Sequence, residues 1–254
     1  MTEHITSLKN PKILAWKALK DRKGRRESGC FLVEGRKMVE EALASSFPVE
    51  AVLADAERVD AFELPAGIPL VTMPAHVLAA VCDTKTPQGV AAVVRMVQSP
   101  APGSRLVALD GVQDPGNVGT ILRTADAAGF DGVLLSQQCA DVFSPKVLRA
   151  TMGSIFRMAI RVTDDLPGEL TALRENGFSV LSSQLDGEPF YHRSPVGEKF
   201  ALVIGSEGNG VTEAVKAVAT HKLRLPMRGG AESLNAAVAA GIMMYELTRE
   251  LPET

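Results

Sequence analysis

The chain is poor in cysteine and histidine, and neither residue type is arranged as a disulfide framework or a metal site. Its 254 residues include three cysteines, Cys30, Cys82 and Cys139, an odd number without a C-x-x-C pair, and four scattered histidines. Neither a set of disulfides nor a zinc site is indicated by this pattern. We therefore expect no metal and a reducing, cytoplasmic setting.

Long hydrophobic runs are also missing. The longest charge-free apolar stretch near the carboxyl end, SLNAAVAAGIMMY, is shorter than the ~18 to 20 residues that a membrane-spanning helix needs. The opening residues MTEHITSLKN contain no apolar segment of the kind found in signal peptides. We expect neither export nor membrane insertion, and a composition of 46% hydrophobic and 22% charged residues is typical of globular domains.

The net charge of −3 conceals a basic amino-terminal arm. Residues 1–36 contain nine lysines and arginines against four acids, a net charge of +5, which leaves −8 for the rest of the chain. A basic arm on an acidic body is suited to a polyanion such as RNA, because neutralising phosphates releases counterions. The alternative is an ordinary solvated helix face, and charge alone does not decide between them.

The pattern of apolar segments and turn residues predicts two units, residues 1–98 and residues 105–254, separated by the turn-rich segment QSPAPGS. In the second unit, apolar strand candidates alternate with helical patterns, which favours an α/β fold with a largely parallel sheet. The strand candidates there are LVALDG, GVLLS, FSVLSS, FALVIGS and KLRLPM. Helices are predicted from Asn117, over 145–153, 168–176 and 212–219, and from Ser233.

Parallel α/β folds place their sites at the carboxyl ends of strands, where three loops of this chain are unusual. The first, DPGNVGTILRTA, has glycines at a helix start but neither the lysine and Ser/Thr of a phosphate loop nor the spacing G-x-G-x-x-G. Helical periodicity puts Thr120 and Arg123 on the face opposite an apolar stripe. That stripe consists of Val118, Ile121, Leu122 and Ala125.

The second and third loops are rich in glycine. VIGSEGNGVTEAV places Glu207 within a glycine run formed by Gly205, Gly208 and Gly210, where a ligand could approach the backbone, although a simple glycine turn is the alternative. In LRLPMRGGAESLN, Ser233 is predicted to cap the last helix and Asn235 to lie in its first turn. The expected apolar face of that helix comprises Leu234, Val238, Ile242 and Tyr245.

Taken in order, the three loops fit N-x-G-x-x-x-R, G-x-E-x-x-G and an L-P-M, glycine, S-L-N series. Residues 105–250 thereby resemble the SpoU (TrmH-like) RNA ribose 2'-O-methyltransferases of the SPOUT superfamily. FLVEGRKMVEEAL and TKTPQGVAAVV resemble, more loosely, the substrate-binding extension of many members. One departure is that Ala236 and Ala237 follow Asn235, where many relatives have a bulkier residue.

The resemblance implies a parallel-sheet SPOUT domain with a deep trefoil knot, preceded by a small α/β substrate-binding domain. It implies S-adenosylmethionine as cofactor, RNA as substrate, with ribosomal RNA preferred over tRNA, and a homodimer. The implied catalytic residues are Asn117, Arg123, Glu207, Ser233 and Asn235. The implied cofactor-binding residues are Ile204, Gly205, Gly208, Leu225, Met227 and Leu234.

Three alternatives stay open at this point. One is the same chemistry on tRNA, and another is a noncatalytic RNA-binding or ribosome-assembly factor. The third, a nicotinamide-dependent oxidoreductase, would need its glycine fingerprint near the start of the sheet, where this chain lacks it. Relatives have been assigned the arginine as the base, but a guanidinium has a pKa above ~12, so Arg123 is expected to act electrostatically. The target nucleotide does not follow from the sequence.

Overall fold

The computed structural model describes residues 2–58, 64–98 and 103–249, which divide into two compact units. The first unit comprises Met1–Val97 together with Phe143–Arg157, and the second comprises Gln98–Val142 together with Met158–Thr254. Residues 143–157 belong to the first unit, whereas the sequence analysis predicted them within the second.

The described part of the first unit is a five-stranded mixed sheet with helices packed on it. The strand order is β1-β4-β3-β5-β2, in which β5 runs antiparallel to both of its neighbours. The strands are β1 (Thr2–His4), β2 (Cys30–Glu34), β3 (Val49–Asp55), β4 (Leu70–Met73) and β5 (Val90–Arg95). The helices are α1 (Pro11–Ala18), α2 (Arg22–Ser28), α3 (Arg36–Ala44), α4 (Ala75–Val81) and, from the returning segment, α6 (Pro145–Thr151).

Aromatic packing explains why the returning segment belongs to the first unit. The ring of Phe31 on β2 is fully buried and lies 4.8 Å from the ring of Phe143 and 6.2 Å from that of Phe156. Buried aromatic pairs at such distances contribute stabilisation beyond their burial of apolar area. An ion pair between Arg157 and Glu41 of α3 adds a polar contact at 2.5 Å.

The second unit contains a parallel sheet, as the sequence predicts, but the sheet has six strands, one of which, β8, was not among the five candidates. The strand order is β11-β9-β10-β6-β7-β8, and every neighbouring pair is parallel. Its strands are β6 (Arg105–Asp110), β7 (Gly132–Ser136), β8 (Ala159–Thr163), β9 (Ser179–Pro189), β10 (Phe200–Gly205) and β11 (His221–Arg224). Unbroken apolar runs such as Leu106–Leu109 are buried, as is expected where helices cover both faces of a parallel sheet. The knot implied by the resemblance stays a prediction.

Helix α5 (Pro115–Ala127) has the orientation that its periodicity predicts. Val118, Ile121, Leu122 and Ala125 are buried, whereas Thr120 and Arg123 are exposed. The remaining helices of the second unit are α7 (Leu166–Glu175), α8 (Glu213–Val218) and α9 (Ala236–Leu247).

Helix α9 corrects the predicted N-cap and shows where its predicted apolar face lies. It begins at Ala236 and is capped by Asn235, so the prediction that Ser233 is the N-cap is wrong. The predicted apolar face of Leu234, Val238, Ile242 and Tyr245 is exposed and is not the face that packs on the protein. The buried positions of the helix are instead Ala237, Ala240, Met243 and Met244. Its nearly uniform apolarity gives the sequence no polar face to mark the side turned away from the sheet.

Within the residues that the structure describes, no helix has both the length and the apolar composition needed to cross a membrane.

Candidate active site

Side chains from the three unusual loops meet at the carboxyl end of the parallel sheet. The Asn117 side-chain amide Nδ2 donates a hydrogen bond of 2.7 Å to Oε1 of Glu207. Its carbonyl Oδ1 accepts one of 2.9 Å from Nδ2 of Asn235. One residue from each loop therefore contributes to a single network, which we call the Asn117 network.

Two helix starts fix the orientation of this network. The Asp114 side chain caps α5 by accepting a hydrogen bond of 2.8 Å from the backbone amide of Asn117. Asn235 caps α9 through Oδ1, which accepts from the amides of Ala237 at 2.9 Å and Val238 at 3.3 Å. Because the Oδ1 atom of Asn235 is engaged by its own helix, its Nδ2 group is left to point at Asn117.

The glycine run between β10 and α8 forms a narrow backbone hairpin. The amide of Ser206 donates to the carbonyl of Gly210 at 3.0 Å, and the reverse bond is 2.9 Å. A Cβ atom on Gly205 would lie 2.1 Å from the carbonyl carbon of Gly210, and Gly210 itself has φ of +66°. Two of the three glycines are thus required by the hairpin itself, whereas a Cβ atom on Gly208 would meet nothing within 4 Å. The backbone at Gly208 is therefore open to a ligand.

The Glu207 carboxylate is held in its ionised form. Burial by itself would raise the pKa of Glu207, but the hydrogen bond from Asn117 and those from the backbone amides of Glu207, Gln113 and Asp114 outweigh it, and the pKa is lowered. Hydrogen bonds donated to a carboxylate favour the charged form. Glu207 therefore carries a negative charge throughout the neutral range.

A cleft of about 690 Å³ lies beside the Asn117 network, within the second unit. Its walls come from the middle of β9, the end of β10, the glycine hairpin, and the segment between β11 and α9. Ile204, Leu225 and Leu234 supply aliphatic surface, while the hairpin supplies exposed backbone. This mixture of apolar walls and a few polar groups is typical of small-molecule sites.

The structure brings most of the predicted site residues to this cleft. It is lined by all six predicted cofactor residues, Ile204, Gly205, Gly208, Leu225, Met227 and Leu234, and by Glu207, Ser233 and Asn235. Asn117 joins through its hydrogen bonds. Arg123 does not belong to the cleft. It lies six residues beyond Asn117, which is about 9 Å along α5 at 1.5 Å per residue. Its side chain is exposed and has no hydrogen bond or ion pair with a described residue.

Several residues that organise the site were missed by the sequence analysis. Asp110, buried at the end of β6, accepts a hydrogen bond of 2.7 Å from the amide of Thr212 and so ties the glycine hairpin to the neighbouring strand. Asp114, directly before a proline at a helix start, carries a capping pattern that could have identified it. Gln184 and Leu185 line the cleft from the middle of β9, and no signal in their sequence marks them.

In the first unit, the two segments that carry the looser resemblance lie side by side. The Glu34 carboxylate accepts hydrogen bonds from the amides of Asp83 at 2.6 Å and Thr84 at 3.0 Å. The Gln88 side chain accepts one of 3.2 Å from the amide of Arg36. The loop TKTPQG is therefore fixed to the start of α3.

The basic arm is less available to a polyanion than its charge suggests. The buried guanidinium of Arg25 donates hydrogen bonds of 2.7 Å to the carbonyls of Leu19 and Lys20. Lys20 donates to the carbonyl of Ala80, and Lys12 pairs with Glu3. Part of the arm therefore serves the fold. Lys9, Lys17 and Arg26 are exposed and have no hydrogen-bond or ion-pair partner among the described residues.

Comparison with known proteins agrees with the geometry of both units. Residues 104–245 match the model of the SpoU rRNA Methylase family, and residues 10–92 match that of the MRM3-like substrate binding domain. Because the first match covers more than half of the chain, the protein belongs to the SpoU rRNA methylase family.

Three relatives illustrate this membership. The chain is 41% identical over 246 residues to the 23S rRNA (guanosine(2553)-2'-O)-methyltransferase RlmP of Bacillus subtilis, covering 96% of this chain and 99% of that protein. The AdoMet-bound rRNA methyltransferase of Sinorhizobium meliloti is similar in structure, with a TM-score of 0.88, 33% identity and 99% of each chain covered. AviRb of Streptomyces viridochromogenes, a SpoU methyltransferase in complex with AdoMet, has a TM-score of 0.83 and 28% identity, with 95% of this chain and 98% of that chain covered.

Proposed function

We propose that the protein is an S-adenosylmethionine-dependent methyltransferase that acts on a ribose 2'-hydroxyl of RNA, and that its substrate is ribosomal RNA. The observation that carries this proposal is the Asn117 network at the rim of the cleft, in which the three motif loops share hydrogen bonds. A noncatalytic RNA-binding factor has no need of this arrangement. With ribosomal RNA as its substrate, we expect the enzyme to act in the cytoplasm.

The cleft fits the proposed cofactor in size and chemistry. Its volume of about 690 Å³ falls within the range of about 300 to 1,000 Å³ that ligand sites occupy. Ile204, Leu225 and Leu234 would hold the adenine between aliphatic side chains, and the open backbone at Gly205 and Gly208 would bind its polar edge. When bound, S-adenosylmethionine supplies an activated methyl group.

The chain's own residues then position the hydroxyl and receive its proton. The Asn117 side chain, held between Glu207 and Asn235, fixes the rim of the cleft against which the ribose is placed. Correct placement of reactants can lower a barrier by about 7 to 11 kcal/mol. The acidity of the hydroxyl rises steeply as the new carbon–oxygen bond forms, so a weak base is sufficient. Glu207, ionised at neutral pH, accepts the proton in this proposal, and Ser233 lies on the same rim.

The exposed stripe on α9 supports a homodimer. Val238 is 51% and Tyr245 is 55% exposed, and with Ile242 they form an apolar row at helical spacing, which the exposed Leu234 precedes in the chain. Large exposed apolar patches on monomeric proteins are uncommon and mark contact surfaces. A second copy would cover this row and would let Arg123, exposed on the adjoining helix α5, reach the partner's cleft. There its planar guanidinium would bind a substrate phosphate and stabilise developing negative charge.

Ribose-methylation mapping of RNA from cells with and without the gene tests the proposal. Loss of one ribosomal 2'-O-methyl group in the deletion strain, restored by the wild-type gene but not by Asn117→Ala, is the expected result. Loss of a tRNA methyl group would show that the substrate is tRNA and not ribosomal RNA. An unchanged methylation map would overturn the proposal. Calorimetry separates the remaining alternatives, because this enzyme must bind S-adenosylmethionine and not NAD.

A further inference from the structure

The first unit contains a second cavity, unrelated to the cleft of the second unit. Its volume is about 310 Å³, and it lies between the end of β3, the start of α4 and the loop that leads into β5. Asp55, Arg58 and His76 supply its polar lining, and Ala79 and Gly89 are among its small residues. Nothing in the proposed methyl transfer uses these residues.

The buried carboxylate of Asp55 has unused capacity to accept hydrogen bonds. Asp55 is only 6% exposed, and its Oδ1 atom accepts a single hydrogen bond, 3.2 Å long, from the amide of Glu57. The Nε atom of Arg58 lies 3.8 Å from Oδ2, which is too far for a hydrogen bond. An ionised carboxylate offers about four acceptor positions, and buried polar groups are normally satisfied. Beside its ion pair with Arg58 and the bond from Glu57, Asp55 therefore keeps acceptor positions that are open to a donor from outside the chain.

Glycine keeps the cavity open at its inner end. The amide of Asp55 donates a hydrogen bond of 2.8 Å to the carbonyl of Gly89, whose φ is +88°. A Cβ atom on Gly89 would lie 2.9 Å from Cδ of Arg58 and 3.7 Å from Cβ of Asp55. Any larger residue would project into the space between these two side chains. Arg58 is 66% exposed at the mouth, where it can move aside for a ligand.

The Asp55 carboxylate favours a ligand that presents two adjacent hydrogen-bond donors. We propose that this cavity binds the guanine base of an unstacked nucleotide in the substrate RNA, with N1–H and the N2 amino group donating to Asp55. Of the four RNA bases, guanine is the one whose Watson–Crick edge presents two adjacent donors. Adenine and cytosine place a ring acceptor beside their amino group, and uracil flanks its single N–H with two carbonyls.

The size and the remaining lining are consistent with a single base. A volume of about 310 Å³ lies at the lower end of the range of about 300 to 1,000 Å³ for ligand sites. Unpaired RNA bases are commonly splayed out, stacked on His or Arg side chains and read on their Watson–Crick edges. His76 and Arg58 are placed for such stacking or for a contact to the attached phosphate. The inference rests on the proposed function, in that it takes RNA to be the substrate.

Titration of the full-length ¹⁵N-labelled protein with mononucleotides, followed by NMR, tests the assignment. GMP is expected to shift the amide resonances of Gly89 and Ala79 and to bind on the order of tenfold more tightly than AMP, CMP or UMP, as bidentate base contacts do. IMP, which lacks the N2 amino group, is expected to fall between GMP and AMP. Asp55→Asn should weaken GMP binding on the order of tenfold and remove the preference over AMP. Glu57→Gln, the same charge change at an exposed neighbour, should leave both unchanged.

Other outcomes would overturn the assignment. Ribose 5-phosphate that shifts the same resonances with the affinity of GMP would show a phosphate site, and equal affinities for all four nucleotides would remove base selection. If Asp55→Asn does not fold, Ala79→Leu fills the cavity from the exposed face of α4 and should abolish the GMP shifts without a change of charge. Methyl transfer to ribosomal RNA by the wild-type protein is measured separately. If the protein methylates ribosomal RNA but binds the four nucleotides with equal affinity, this inference alone is refuted. If the protein does not methylate RNA, the proposed function is refuted.

Discussion

The Asn117 side chain donates a hydrogen bond of 2.7 Å to the carboxylate of Glu207, a residue ninety positions further along the chain. This bond joins the first and second motif loops, and the neighbouring bond from Asn235 joins the third. The hydrogen bond from Asn117 also lowers the pKa of Glu207, so the geometry of the site affects the protonation of this carboxylate.

Replacing Asn117 with alanine should raise the pKa of Glu207, since burial then acts with fewer opposing hydrogen bonds. In the wild-type protein the folded-state pKa lies below the ordinary value of 4.5. Ionised Glu207 therefore contributes stability above pH 4.5, and this contribution disappears as the pH falls through the lowered pKa. Carboxyl ¹³C NMR titration measures the shift directly. The control is Gln113→Ala, which keeps the backbone amide and removes an exposed side chain. A Glu207 pKa in Asn117→Ala equal to that of the wild-type protein would contradict the assignment.

Lysine at position 123 should abolish methyl transfer and leave S-adenosylmethionine affinity nearly unchanged. The guanidinium binds phosphate through a planar fork that a lysine cannot reproduce, and loss of one electrostatic donor at a reacting centre costs about 10²- to 10³-fold in kcat. Turnover on RNA and calorimetry with the cofactor are the two measurements. Arg174→Lys, at another exposed helical arginine of the second unit, should retain full activity. Robust turnover by the Arg123→Lys variant would rule out a role for the guanidinium.

An aspartate at Val238 should convert the proposed dimer into a monomer. In a twofold interface each substitution occurs in both copies, so buried carboxylates would be added to one apolar surface. Light scattering after size-exclusion chromatography gives the mass. Leu14→Asp, at a residue of the first unit that is 54% exposed against 51% for Val238, should leave the mass unaltered. A wild-type protein that runs as a monomer would refute the dimer itself.

Two adjacent arginines of the basic arm should behave differently. Arg25→Met leaves the carbonyls of Leu19 and Lys20 without their donor, and each such loss costs about 1 to 3 kcal/mol of unfolding free energy. Arg26→Met, at an exposed position, should change the unfolding free energy by less than about 0.5 kcal/mol. We expect Arg26 to contact an RNA phosphate. Its loss should therefore weaken RNA binding and reduce the slope of log K against log salt concentration by about 1. Chemical denaturation and RNA binding at several salt concentrations separate the two effects, and equal destabilisation by both variants would contradict this division.

The sequence by itself determined the parallel α/β unit and the membership of the three motif loops in one site. Alternation of apolar strands with helices of period 3.6 is a local property, and so is the stripe of α5 that leaves Arg123 exposed. The motif residues were identified because the three loops, taken together and in order, resemble the SpoU family, whereas each loop alone also has a purely structural explanation. Their common position follows from the rule that parallel strands end at one edge of a sheet.

Tertiary structure alone decided which face of α9 is buried, which residue caps it, and where residues 143–157 pack. An almost wholly apolar helix has no polar face to read, so only its contact with the sheet could separate Met243 from Ile242. Asn235 rather than Ser233 caps the helix because its side-chain Oδ1 accepts from the first amides while its Nδ2 reaches Asn117. The aromatic contacts of Phe143 and Phe156 with Phe31, like the cavity around Asp55, join segments far apart in the chain. Interactions of this kind depend on distances in space, which the order of residues does not encode in any local pattern.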